Sequence, residues 1–378
     1  MNSLQKLQLL GQSPWQDNIS RDQLVSGTLQ DMVNDGEITG LTSNPTIFQQ
    51  AISGSNDYDV TISNLSSQGL DTEAIFYALA SEDIMQAADI FGSVYASTGG
   101  TDGFVSLEVS PRLAMETSAT VSEAIQLWET VDRPNLMIKI PATIPGLEAI
   151  TMAISAGISV NVTLIFSVDR YSKVIDAYMT GLEKRVESGQ DIADINSVAS
   201  FFISRIDTLV DARLEDVLVT DVETESMRGR AAIANANLAY KLFQDSISSG
   251  RWTALQEQGA HVQRPLWAST STKDPKYSDV LYVESLIAKD TVNTMPPSTM
   301  QAFKDHGNAT LGLEMGPEKA SRHMEKLSNL GISMDEISAK LEKEGVASFR
   351  ESYEQLLSVI EERSIDLTTE GTSSVKIP

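Results

Sequence analysis

Two residues raise a chemical question before any element is assigned. In LMIKIP (136–141) a lysine, Lys139, stands among Leu136, Met137, Ile138 and Ile140. In FVSLEV (104–109) a glutamate, Glu108, stands among Val105, Leu107 and Val109. Lysine and glutamate are almost never fully buried unless paired. Burying a charge costs free energy or drives the group toward its neutral form. Lys139 therefore either ends a strand at its exposed tip or serves as an amine. A desolvated amine attacks a carbonyl and forms a Schiff base, and the iminium is an electron sink for breaking or making a C–C bond. A neighbouring carboxylate moves the protons of the carbinolamine steps. Either residue alone fits a structural polar network; the two together, on neighbouring strands, form a candidate site for class I aldolase-type chemistry.

The elements that must position this pair follow from the hydrophobic pattern. Short apolar runs predict strands near 14–19, 38–43, 104–109, 135–140, 157–166, 194–202, 264–270 and 290–295. Between them apolar residues recur at helical spacing over 72–80, 78–98, 118–131, 167–189 and 228–250. Eight strands alternating with helices predict an α/β fold, a (β/α)8 barrel with Lys139 on its fourth strand. An open doubly wound sheet is the alternative, but no GxGxxG or P-loop follows the first strand. Residues 316–364 are charged and helical in pattern, with Gly331 and Gly345 expected to break them, and DLTTEGTSSVKIP has the composition of a flexible tail. The expected division is a barrel over 1–300 and a helical extension over 301–378 packed on it, with the tail from about 366.

Strand side chains alternate faces. Ser106 and Glu108 oppose Val105, Leu107 and Val109; Lys139 opposes Leu136, Ile138 and Ile140; Asn161 and Thr163 oppose Val160, Val162 and Leu164. Thr42 and Asn44 share a face, as do Val198, Ser200 and Phe202. The apolar parity can pack under the helices. The polar parity then lines the barrel interior, near the C-terminal strand ends where barrel active sites lie.

Composition narrows the partners. The 378 residues hold 28 Lys and Arg against 52 Asp and Glu, a net charge of −24. Nucleic acid and anionic membranes are disfavoured by that sign, and an anionic substrate needs a local cation. The hydrophobic share of 41% suffices for a large core, and the absence of cysteine excludes disulfides, thiolate metal sites and thiol nucleophiles. The start of the chain lacks a leader-like apolar region, and no apolar run reaches the ~18 residues of a membrane span. A soluble cytoplasmic protein is expected. The three histidines, His261, His306 and His323, lie outside the strand motifs, so no metal site is expected.

WQDNISRD, GLTSNPTIF, VSLEVSPRLA, LMIKIPAT, SVNVTLIFS and LWASTSTKDP, in this order along roughly residues 13–300, resemble transaldolases. The helical C-terminal part is similar to their longer bacterial and plant-type branch. The resemblance implies a (β/α)8 barrel and reversible transfer of a dihydroxyacetone unit in the non-oxidative pentose phosphate pathway. Sedoheptulose 7-phosphate plus glyceraldehyde 3-phosphate yields erythrose 4-phosphate plus fructose 6-phosphate, with no cofactor. It implies Lys139 as the Schiff-base nucleophile, Glu108 and Thr163 holding a proton-relaying water, and Asp17 as the acid/base at the substrate hydroxyl. Asn44 and Asn161 are implied to bond the dihydroxyacetone hydroxyls, with Thr42 supporting them and Ser200 facing the same unit. Arg205 matches a phosphate-binding arginine. Where another branch carries a second arginine, this chain has ASTSTKDP, so Ser269 and Lys273 are the expected substitutes.

Bland alternatives stand beside several of these roles. Asp17 suits a helix cap or turn before SRDQL, Asn44 an Asx-turn before Pro45, and Arg205 a surface ion pair with Asp207. Two other functions compete: a fructose 6-phosphate aldolase-like enzyme and a non-catalytic sugar-phosphate-binding barrel. The aldolase relative has glutamine and tyrosine where Glu108 and Phe202 stand here, so both positions side with transfer. An apolar Phe202 also helps keep water from the enamine. A monomer or homodimer acting on small sugar phosphates is expected. The C-terminal helices are expected to cover the barrel rather than to bind a partner.

Overall fold

In a computed structural model, residues 1–217, 225–313 and 315–373 are described, the last eight of these for their backbone only. The eight expected strands are present as β1 (Gln12–Asp17), β2 (Gly40–Thr42), β3 (Val105–Glu108), β4 (Leu136–Pro141), β5 (Val160–Ile165), β6 (Ser197–Phe202), β7 (Arg264–Ala268) and β8 (Thr291–Met295). All pair in parallel and in chain order, and β8 closes on β1. The fold is a (β/α)8 barrel. Among the described residues no helix is long and apolar enough to cross a membrane.

Capping residues turn the chain sharply from strand to helix at the C-terminal end of the barrel. Asn44 accepts from the Ile47 N–H at 3.0 Å and Pro45 opens the helix Pro45–Ser53. Thr143 and Ser167 cap the helices after β4 and β5 in the same way. Pro at the first helical position and a side-chain acceptor before it satisfy backbone donors that have no intrahelical partner. The stretches 72–80 and 78–98 form one helix, Thr72–Ser97.

The barrel interior is filled below the site. Trp15 is fully buried and pairs in register with Gly40, where an added Cβ would lie 2.5 Å from the indole. Met137, Val198, Leu266 and Val292 are also buried. The expected alternation fails at one residue. Leu164 has φ of +60°, and the β5–β6 register shifts between Val162 and Ile165. A left-handed residue breaks the two-residue period, so Leu164 does not stay with Val160 and Val162. It rises instead to meet the C-terminal helix, where a Cβ on Gly345 would lie 2.9 Å from its Cδ2.

The helix Pro297–His306 follows β8 and runs across position 300. Beyond it lie Gly316–Asn329 and the long Met334–Ser373. Gly331 separates them, with φ of +81°. Gly345 does not break the helix, contrary to expectation. Its missing side chain lets the helix pass close over β5, which outweighs the roughly 1 kcal/mol that glycine costs inside a helix. Arg363 donates to the Ser53 and Ser55 carbonyls and pairs with Asp59 at 2.8 Å. Tyr353, Leu356 and Ile360 are buried. Of the tail expected from about 366, the helix takes in residues to Ser373, and 374–378 lie outside the described residues.

Candidate active site

Lys139 sits inside β4, 4% exposed, and not at a strand tip. Its register neighbours are Glu108 on β3 and Asn161 on β5. The Nζ lies 3.2 Å from Glu108 Oε2 and donates to the Ser43 carbonyl at 3.0 Å. Burial raises the pKa of Glu108; the Lys139 charge opposes that rise, and Asp17 adds to it. The 3.2 Å contact is an ion pair outside hydrogen-bond geometry, so Glu108 Oε2 makes no hydrogen bond among the described residues. Thr163 Oγ1, likewise buried, makes none either.

A cavity of about 340 Å3 opens above this pair at the C-terminal end of the barrel. Ten of the twelve residues singled out in the sequence line it, Lys139 and Thr163 among them. Glu108 and Asn161 stand just behind the wall. Asn161 is fully buried, donating to Ser106 Oγ at 3.0 Å and accepting from Ser200 Oγ at 2.7 Å. That leaves one amide N–H of Asn161 uncommitted. Asn44 spends its Oδ1 on the helix cap and still lines the cavity, so its capping role and its place in the site coexist.

Asp17 does not cap a helix; Ser20 does. Asp17 accepts instead from Thr42 Oγ1 at 2.7 Å, and Thr42 also bonds Thr294 Oγ1 on β8 at 2.7 Å. This chain fixes the Asp17 carboxylate at the cavity edge.

The cavity lining also carries cations, Arg205 and Lys273. Arg205 follows Ser204 at the start of the helix Ser204–Glu215. It makes no ion pair or hydrogen bond among the described residues, and its Cζ lies 5.2 Å from the Phe202 ring centre. Burial lowers its pKa, with Asp17 opposing. The surface pair with Asp207 does not form. Asp207 is buried elsewhere, accepting from Ala232 N–H at 2.8 Å and Tyr282 OH at 2.9 Å, and burial pushes its pKa up to about 7. Lys273, at the exposed rim, donates to Ser271 Oγ at 2.9 Å. Desolvation lowers its pKa, and the nearby Arg205 adds to the shift. Ser269 takes φ of +57° and bonds Ser204 Oγ at 2.9 Å, tying the β7 end to the helix that carries Arg205.

Sequence reasoning missed three contributors. Ser43 acts through its carbonyl, which no side-chain motif advertises, and Thr294 lies in an unremarkable strand. Phe349, on the C-terminal helix, lines the cavity with its ring centre 5.7 Å from Lys139 Nζ. Nothing near VASFRESY marks it.

The likeness to known proteins covers the whole of this arrangement. The family profile described as Transaldolase/Fructose-6-phosphate aldolase matches residues 14–360. A transaldolase of Frankia alni is 48% identical over 372 residues, 98% of this chain and 100% of the relative. A transaldolase of Mycolicibacterium smegmatis is 47% identical over 94% of this chain and 95% of its own. "Transaldolase 2" of Streptomyces coelicolor is 49% identical over 95% and 96%. With profile and relatives both running through strands, cavity and C-terminal helix, the chain belongs to the transaldolase/fructose-6-phosphate aldolase family.

Proposed function

We propose that the protein is a transaldolase, a transferase that carries a dihydroxyacetone unit between sugar phosphates through a Schiff base on Lys139. The observation that carries this reading is the buried Lys139–Glu108 pair, 3.2 Å apart, beneath a cavity whose rim holds Arg205 and Lys273. The curated relatives at 47–49% identity support it.

In the proposed reaction, Lys139 attacks the ketose C2 carbonyl as a neutral amine. Glu108 takes up and returns the protons of carbinolamine formation and dehydration through a water held with Thr163. Both oxygens have unspent hydrogen-bonding capacity. Asp17, oriented by Thr42, removes the C4 hydroxyl proton. The C3–C4 electron pair moves toward the iminium nitrogen as the C3–C4 bond breaks, and the aldose leaves. The carbanion then attacks the aldehyde of a second aldose, Asp17 returns the proton to the new hydroxyl, and hydrolysis frees Lys139. Asn44, Asn161 and Ser200 hold the dihydroxyacetone hydroxyls. Phe202 walls the site apolar. Arg205, Lys273 and Ser269 take the phosphate, the arginine through two in-plane N–H groups and the lysine as a point charge.

We further place the enzyme in the cytoplasm, as a monomer or homodimer, with a barrel over about 1–300 and a helical extension beyond it. The test has two arms. Fructose 6-phosphate with erythrose 4-phosphate is expected to yield sedoheptulose 7-phosphate. Borohydride with fructose 6-phosphate alone is expected to leave an adduct that peptide mass places on Lys139. Adduct with free dihydroxyacetone and no seven-carbon product would replace this reading by an aldolase; neither adduct nor product would leave a binding barrel.

A further inference from the structure

The C-terminal helix crosses the mouth of the barrel and is pinned on both sides. At one side Ser338 Oγ donates to the Phe166 carbonyl at 3.2 Å, and Glu342 pairs with Arg170 at 3.1 Å. At the other, Tyr353 OH donates to Glu73 at 2.5 Å, and Arg112 binds both carboxylate oxygens of Glu354, at 2.8 and 2.6 Å. Ser338, Glu342, Gly345, Phe349 and Tyr353 recur at three- and four-residue spacing, so they share the face turned to the barrel. Between the anchors that face presents one glycine and one phenyl ring. Gly345 lets the helix sink, since a Cβ there would lie 2.9 Å from Leu164 Cδ2 and 3.6 Å from Arg205 Nη1. Phe349, one turn on, is 4% exposed, with its ring centre 5.7 Å from Lys139 Nζ and 5.9 Å from Arg205 Cζ.

We propose that Phe349 is a positioning and specificity-determining residue of the transfer reaction, orienting Arg205 for the substrate phosphate and keeping water from the carbon held at Lys139. The inference rests on the transaldolase reading above. Arg205 touches two rings, Phe202 and Phe349, and has no ion pair or hydrogen bond among the described residues. Rings attract a guanidinium through its charge and leave its in-plane N–H groups for a phosphate. The second effect concerns the carbanion left after cleavage. Transfer forms a C–C bond to the acceptor aldehyde. Release takes one proton from water onto that carbon, then consumes one water to hydrolyse the iminium, returning the Lys139 amine and free dihydroxyacetone. A buried ring beside the nitrogen disfavours the second course by excluding water.

The test compares Phe349→Ala and Phe349→Leu with the parent. For Phe349→Ala, KM for fructose 6-phosphate is expected to rise roughly tenfold. KM for dihydroxyacetone used as donor, which has no phosphate, stays within about twofold. The ratio of free dihydroxyacetone to sedoheptulose 7-phosphate rises roughly tenfold at saturating erythrose 4-phosphate. Phe349→Leu keeps an apolar plug without a ring face, so its KM rises while its product ratio stays near the parent's, and it serves if the alanine variant fails to fold. Equal KM changes for the two donors, or an unchanged product ratio in Phe349→Ala, overturns the proposal. A parent that forms no Lys139 adduct overturns the transaldolase reading instead, so the two failures are distinguishable.

Discussion

Asp102, three residues before β3, and Glu108, the last residue of β3, are buried carboxylates on either side of one strand. On the N-terminal side, Asp102 accepts from Ser13 Oγ, from Trp15 Nε1 at 2.8 Å and from the Gly103 N–H at 3.0 Å, with Arg264 at 3.5 Å. Its lone pairs are spent on holding the barrel floor. At the C-terminal end, Glu108 meets Lys139 alone and keeps an oxygen free of hydrogen bonds. Satisfied polar groups rigidify a fold, while an unsatisfied buried one costs free energy and calls for another explanation. The same strand thus serves structure at one end and holds chemical capacity in reserve at the other.

The sharpest way to break that contrast is to remove the amine. Lys139→Met is expected to lower kcat by at least ~10⁴-fold, as for a lost nucleophile, and to abolish borohydride trapping. Its melting temperature should change little, because burial already pushes Glu108 toward its neutral form and loss of the Lys139 charge pushes it further, so that no lone buried charge is left. Glu108→Gln should lower kcat by ~10²–10⁴-fold, the range of general acid–base loss, again with little change in unfolding midpoint. Asp102→Asn should do the reverse. It costs about 1–3 kcal/mol of stability in urea titration and leaves kcat within about twofold. Loss of activity without loss of stability in Asp102→Asn would erase the distinction between the two ends.

A stability effect confined to one pH range is expected at Asp207, a carboxyl on the barrel flank that burial pushes up to about 7. Its folded value lies above its unfolded one, so between about pH 4 and pH 7 the folded protein holds the proton and the unfolded chain does not. Its contribution to stability is complete below the ordinary carboxylate range and is lost as pH rises toward 7, by up to ~1.4 kcal/mol per pH unit. Asp207→Asn should remove this component, seen as a smaller drop in urea midpoint between pH 5 and pH 8.

The strands and the polar parity were legible because both are local. Alternation in VSLEV, LMIKI and SVNVT put Glu108, Lys139 and Asn161 on one face, and the β3–β4–β5 register makes them neighbours. Leu164 escaped that logic because a left-handed backbone residue cancels the period without changing composition. Gly345 was misread because glycine signals a break by its entropy, whereas here it answers a close approach by a strand far away in the chain. Phe349 reaches Lys139 and Arg205 across the fold. Local periodicity identifies it as a core residue and says nothing about which core.

The closure of β8 on β1 has a consequence for synthesis. Thr42 is bonded to Thr294, and the cavity wall draws on residues from Asp17 to Phe349. A nascent chain lengthens at roughly 5–20 residues per second, so tens of seconds separate the emergence of the first wall residue from the last. From its own emergence until Phe349 follows, Lys139 belongs to an unfinished ring, without its roof or its far wall. The chain therefore has no early period of partial competence: catalysis begins only when nearly all of it has left the ribosome.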